Sequence, residues 1–266
     1  MTKMLSHGDA LRIEGLTTGY GGHVVVDALT LAPMLPGQVV SLLGPNAAGK
    51  TTLLRALAGL HHASGAVRLG EADLLSFPLA DHARHVTYMP QSLAQRVALT
   101  VLEAVIGALK ASPIAGEPLS GHAITERALD VIERVGIGHL AMEGLNHLSG
   151  GQRQLASLAQ ALVRQPRVLL LDEPISALDL HYQLRVMKLV RALARESGMI
   201  VVMVLHDLSI AARWSDRIVL LSQGRLVTDG PPAEAITAQA LADVYRVAAR
   251  VRADVDGLHI VIEDTL

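Results

Sequence analysis

Gly44-Pro45-Asn46-Ala47-Ala48-Gly49-Lys50-Thr51 fits the pattern Gly-x-x-x-x-Gly-Lys-Ser/Thr, and its flanks give the pattern physical meaning. Before it, Val39-Val40-Ser41-Leu42-Leu43 follows the turn signal Pro36-Gly37 and reads as a buried strand; after it, Leu53, Leu54, Leu57 and Leu60 recur at helical spacing. A strand, a glycine-bearing loop and a helix in that order bring backbone N–H groups, a helix N-terminus and a lysine to one point. A triphosphate is the natural occupant. Lys50 is then placed to reach the β- and γ-phosphates, the Thr51 hydroxyl to join the coordination of Mg²⁺, and Thr52 to extend the nucleotide-binding stretch.

A second run, Val168-Leu169-Leu170-Leu171-Asp172-Glu173, ends a buried-strand pattern in two adjacent carboxylates. Parallel α/β sheets present ligands at the carboxyl ends of their strands, which is where these acids fall. Asp172 can hold the metal through water. Glu173, one residue on, points the other way and can polarise an attacking water.

Composition narrows the class. At 266 residues the chain suits one large α/β unit with an inserted subdomain, so a single domain over 1–266 is expected. Half the residues are hydrophobic, yet apolar runs such as Met199 to Leu205 fall well below the roughly 20 residues a spanning helix needs. Met1 to Asp9 shows no extended apolar segment, so no secretory signal is read there and a cytosolic address is expected. The chain has no cysteine, which removes disulfide and thiolate chemistry. With a formal charge of −2, no lysine-rich block and few aromatic residues, nucleic acid is a poor partner. His61-His62 is a lone adjacent pair among twelve histidines, so no metal site beyond Mg²⁺ is expected.

Along the chain, strands are expected at Leu11 to Leu16, Val24 to Val26, Leu29 to Leu31, Val39 to Leu43, Gly65 to Leu69 and Val86 to Met89. From Thr100 to about Arg164 the apolar spacing is helical, with a loop at Gly116-Glu117-Pro118. That stretch, about 95–165, reads as a helical subdomain set between two parts of a core at about 1–94 and 166–266. Strand and helix then alternate: Val168 to Leu171, Leu180 to Glu196, Met199 to Leu205, Leu208 to Trp214, and a hairpin around Gln223-Gly224. A tail from Pro231 reads as mostly helical, with a last short strand at Leu258 to Ile262.

Leu148-Ser149-Gly150-Gly151-Gln152 precedes a helix beginning near Arg153, and alone it is only a glycine-rich helix start. Together with the two motifs above, in this order, it resembles the signature of ATP-binding-cassette (ABC) ATPases. The resemblance covers nearly the whole chain. It implies a P-loop NTPase core of RecA-like α/β type, an N-terminal antiparallel β subdomain and an inserted α-helical subdomain. It further implies that Tyr20 stacks on adenine, that Gln91 senses metal and water, that Ser176-Ala177-Leu178-Asp179 communicates across a dimer, and that His206 contacts the γ-phosphate. In such proteins Ser149 and its glycines address the ATP of the other subunit, so a head-to-tail homodimer is implied, with Glu173 as base. Two departures stand out: Ala47 where the family commonly has glycine, and Ile175 where it has threonine or serine.

The segments Leu178 to Gln183, Leu205 to Leu208, Gly230 to Thr237 and Val244 to Val247 look like the iron-siderophore, haem and cobalamin uptake branch. That implies a peripheral subunit on the cytoplasmic face of the inner membrane, working with two copies of a transmembrane permease and, indirectly, a substrate-binding protein. Residues 91–110 are the expected permease contact. An exporter ATPase and a non-transport cassette protein are the competing readings.

Overall fold

The computed structural model describes residues 9–91, 98–111, 120–255 and 257–266. Most of the Met1 to Asp9 stretch, the Gly116-Glu117-Pro118 loop and residues 92–97 of the expected permease contact lie outside the described residues.

Two sheets form the frame. The first is antiparallel, in the order β2-β1-β4-β5, from β1 (Leu11–Tyr20), β2 (His23–Met34), β4 (Ala63–Leu69) and β5 (Ala72–Asp73). The second has the order β10-β9-β3-β8-β7-β6, from β3 (Val39–Leu43), β6 (Val86–Met89), β7 (Val168–Asp172), β8 (Ile200–Val204), β9 (Arg217–Ser222) and β10 (Arg225–Gly230). All its pairings are parallel except the β9–β10 hairpin at the edge.

The parallel strands are apolar throughout because both of their faces are covered. Val40 and Leu42 of β3, Leu170 of β7 and Val202 of β8 face one core, shared with helix α1 (Lys50–Leu57) and the antiparallel sheet. Leu43, Leu169, Leu171 and Met203 face the other, shared with the helices. A four-residue helix α2 (Leu79–His82) precedes β6; it carries no apolar period long enough to read from sequence. On the second face lie α3 (Val101–Ala111), α4 (Gly121–Val135) and α5 (Gly150–Leu162), which pack on one another, and α6 (Leu180–Ser197). The boundaries of α4 and α6 have local causes. Ser120 caps α4 at its start and Gly136, left-handed at φ 89°, ends it; Asp179 and Gly198 do the same for α6.

Helix α7 (Leu208–Trp214) follows β8, and α8 (Pro232–Ala235) and α9 (Ala238–Tyr245) follow β10. Two expectations need correction. Val24 to Val26 and Leu29 to Leu31 belong to one strand, because Ala28 takes a positive φ of 45° and the resulting irregularity lets the pairing with β1 resume. The tail is not mostly helical: beyond α9 it forms a hairpin of β11 (Val247–Asp254) and β12 (Gly257–Thr265). Val247, Ala249 and Val251 alternate with outward residues and pack on the helical core with Leu258 and Ile260. That period of two overrides the helical tendency of the alanines. Among the described residues no helix is long and apolar enough to cross a membrane.

The two sheets are pinned by a buried ion pair. Arg217 of β9 meets Asp229 of β10, both side chains only 9% exposed. The same guanidinium donates to the carbonyls of Ala32 and Pro33 on β2, each at 2.9 Å, while the Ala32 N–H donates to Asp229 at 3.2 Å. Asp229→Asn would leave a buried guanidinium without its counter-charge, at a cost of about 3–5 kcal/mol. A urea titration should therefore show a lowered midpoint with an unchanged slope; an unchanged midpoint would remove this pair from the stability account.

Candidate functional site

The loop after β3 is built from backbone conformations that side chains resist. Gly44 has φ 143°, and a Cβ there would stand 2.2 Å from the Leu221 carbonyl oxygen; Gly49, the N-cap of α1, has φ 95°. Ala47 takes φ 64° and carries its Cβ into the left-handed region. The alanine noted in place of the common glycine therefore does stand at a positive φ. Lys50 opens α1, buried, with Nζ donating to the carbonyls of Gly44 at 2.6 Å and Pro45 at 2.8 Å. Burial lowers its pKa, while the charges of Glu173 and Asp172 oppose that shift.

Asp172 ends β7 and is 2% exposed. Its two oxygens are each held by a hydroxyl: Thr51 donates to Oδ1 at 3.0 Å and Tyr88 to Oδ2 at 2.9 Å. Burial pushes the Tyr88 phenol up to about 12, so it remains a donor at neutral pH. The Thr51 hydroxyl and the Asp172 carboxylate form an all-oxygen pair of the kind Mg²⁺ accepts, and among the described residues no cluster of three or more His, Cys, Asp or Glu competes as a metal cage.

Glu173 is the strained centre of the site. Its φ of 53° is left-handed in a residue with a full side chain. Three donors converge on its carbonyl: the Ser176 N–H at 3.3 Å, the Ser176 hydroxyl at 3.1 Å and Gln154 Nε2 at 2.5 Å. Its carboxylate lies between Gln91 and His206, with Oε2 accepting from Gln91 Nε2 at 2.7 Å and Oε1 at 2.7 Å from His206 Nε2. A cleft of about 480 Å³ is lined by Val25, Asn46 to Thr52, Glu173 and His206. A larger crevice, about 550 Å³, lies near the starts of β7 and β8 and is lined by ion-paired residues such as Arg167 and Asp9. Ligands of open α/β sheets bind at the other end of the strands, so the smaller cleft is the functional candidate.

Tyr20 ends β1, 41% exposed, with its ring edge-on to that of His61 at 4.1 Å between centroids; the nearby Tyr88 and Tyr20 phenols raise the pKa of Arg55. Gln91 touches the cleft through Glu173, and neither it nor Tyr20 lines it. Leu148 to Gln152 do not line it either. Ser149 instead caps α5: its hydroxyl accepts from the Gln152 N–H at 3.2 Å, and Gln152 Oε1 accepts from the Ser149 N–H at 2.8 Å. That segment reaches the carboxylate loop through Gln154, whose Oε1 accepts from the Ala177 N–H at 3.1 Å. Ser176, Ala177 and Asp179 are exposed, whereas Leu178 and Ile175 are buried in the helical-side core. A hydroxyl at 175 would have to leave that core, so isoleucine fits this chain.

Sequence reasoning missed Tyr88, Gln154 and Tyr245. Gln154 had a visible signal, a glutamine on the apolar face of α5; Tyr88 gave none, and Tyr245 stood in a segment singled out for its family resemblance without any sign of its contact with Gly44.

Comparison with known proteins gives one answer. The model of a family described as ABC transporter matches residues 32–176. The hemin import ATP-binding protein HmuV of Bordetella pertussis is 39% identical over 252 residues, covering 91% of this chain and 94% of that one. Among solved structures, an inward-facing putative metal-chelate type ABC transporter is similar at TM-score 0.78 and 24% identity, covering 97% of this chain and 98% of its own. The ATP-binding cassette MJ0796, dimeric and bound to ADP and Pi in a post-hydrolysis state, is similar at TM-score 0.73 and 25% identity, covering 84% and 98%.

Ala47→Gly should relieve the left-handed strain in the loop and raise stability by up to about 1 kcal/mol. Denaturant unfolding measures it, and a fall in midpoint would mean that the alanine is not strained.

Proposed function

Because the chain belongs to the ABC transporter family of ATP-binding proteins, and is an ATPase of ABC type, we propose that it powers a metal-chelate importer and that Glu173 is the general base of its hydrolysis. The carrying observation is the Glu173 carboxylate held between Gln91 and His206 beside the Lys50 loop. With ATP in the cleft, the N–H groups from Asn46 to Thr52 would cradle the phosphates and Lys50 would leave the Gly44 and Pro45 carbonyls for phosphate oxygens. Thr51 and Asp172 would hold Mg²⁺, whose charge offsets that developing on the phosphate oxygens. Glu173 would take the proton of the attacking water, and His206, at 2.7 Å from it, would keep that carboxylate aimed at the γ-phosphate. Gln91 would orient the same water, and Tyr20 would stack on adenine.

The proposed assembly is a homodimer. The Ser149 segment lies off its own cleft, which is what a site completed by a second copy requires; Leu148 to Gln152 and Ser176 to Asp179 would then face the partner's nucleotide. Binding energy of ATP shared by two chains favours the closed dimer, and hydrolysis removes it. Two permease subunits, contacted around Gln91 and α3, and a substrate-binding protein would complete the importer, with this subunit at the cytoplasmic membrane face. For cargo, the hemin import role named for the Bordetella relative supports haem ahead of the iron-siderophore suggested by the tail pattern.

Glu173→Gln should abolish turnover and yet keep ATP-dependent dimerisation, read by light scattering with and without ATP. A variant that hydrolyses ATP at the wild-type rate would remove Glu173 from the base role. In a reconstituted importer, haem-loaded binding protein should raise ATPase activity; stimulation by a ferric siderophore alone would reassign the cargo.

A further inference from the structure

We propose that Tyr245, at the end of α9, is a positioning residue of the phosphate loop and that the C-terminal tail works as the loop's brace. The proposal rests on the reading of residues 44–51 as the nucleotide site. Its observation is one hydrogen bond across most of the chain: the Gly44 N–H donates to the Tyr245 phenol oxygen at 2.8 Å.

Gly44 is where the sheet stops and the loop begins. The parallel pairing of β3 with β9 ends at Leu43 opposite Leu220, so the next buried N–H has no ladder partner. It cannot shift to find one. A φ of 143° and a Leu221 carbonyl oxygen standing only 2.2 Å from where a Cβ would be hold this backbone closely. Tyr245 supplies the acceptor, and burial raises its phenol's pKa, which keeps it protonated at neutral pH. The Gly44 carbonyl, on the other side of the same residue, accepts from Lys50 Nζ at 2.6 Å. One glycine therefore connects the tail to the lysine that addresses phosphate.

The tail is anchored well enough to serve as a brace. Val244 and Leu241 are buried in the helical-side core, α9 packs on β11, and β12 packs on α7, the helix that begins just after His206. Arg246, left-handed at φ 56°, turns the chain immediately after Tyr245 into the hairpin. The tail thus spans the two ends of the cleft, from the phosphate loop to the His206 helix.

Without the phenol oxygen, the Gly44 N–H would seek water and the resting loop would relax away from the shape that cradles phosphate. ATP binding would then have to restore that shape. Tyr245→Phe, which keeps the ring in its packing, should weaken ATP binding by calorimetry and raise KM by roughly five- to tenfold, with kcat within about twofold of wild type. Val244→Ala, which thins the packing of α9 and spares the hydroxyl, should lower the melting temperature and leave ATP affinity unchanged. Equal ATP affinity in Tyr245→Phe and wild type would overturn the assignment; so would equal weakening in both variants, which would credit the packing of α9 instead of the hydrogen bond. A wild-type chain that fails to bind ATP would overturn the nucleotide reading itself, an outcome distinct from either.

Discussion

The parallel register of four neighbouring strands sets where every group of the cleft can stand. Met89 pairs opposite Leu171, Asp172 opposite Val204, and Leu42 opposite Val204 from the other side, so β6, β7, β8 and β3 finish at one level. Gln91, Asp172 with Glu173, His206 and the Gly44 loop all leave within two residues of those ends. Each strand is buried on both faces, so a slip of one residue would exchange the two cores and move every exit together. The convergence of a lysine, two carboxylates, an amide and an imidazole is thus fixed by the apolar packing of the strands that carry them.

What packing alone cannot provide is the local backbone shape, and there the chain tolerates strain. Ala47 and Glu173 both sit at positive φ, a conformation that costs non-glycine residues of order 1 kcal/mol or more each. At Glu173 the neighbours over-determine the conformation, since three donors share its carbonyl and two further groups grip its carboxylate. The left-handed backbone goes with a carboxylate seated between Gln91 and His206. Among the described residues no side chain hydrogen-bonds the Ala47 backbone, which fits a loop position whose usual glycine is absent.

The sequence revealed the frame better than the fine contacts. Glycine, lysine and the acid pair announced themselves because their chemistry requires fixed spacing next to a strand, and β3, β6 and α7 fall within a residue or so of where their apolar patterns end. Strand β12 was legible as the short strand expected at Leu258 to Ile262, whereas its partner β11 was obscured by alanines and arginines whose helical propensity is as good as their strand pattern. Strand β2 was split in two by Ala28, a bulge that no sequence rule marks when the residue is not glycine. The contacts of Tyr88 and Tyr245 were invisible for a different reason. Their partners, Asp172 and Gly44, are 84 and 201 residues away, and a single tyrosine carries no period.

Gln154 joins these pieces into one mechanical argument. Its amide touches the Glu173 carbonyl with one end and the Ala177 N–H with the other, while its helix starts at the Ser149 cap. On the dimer reading, the Ser149 end of α5 would sense the γ-phosphate held by the partner. A rigid helix moving by a fraction of an ångström at that end would be felt at the Glu173 backbone, which has only one well-supported conformation. Loss of the partner's γ-phosphate and loss of aim at the local base would then be coupled through a single buried side chain. Such a link would let two half-sites keep step without any contact between their own nucleotides.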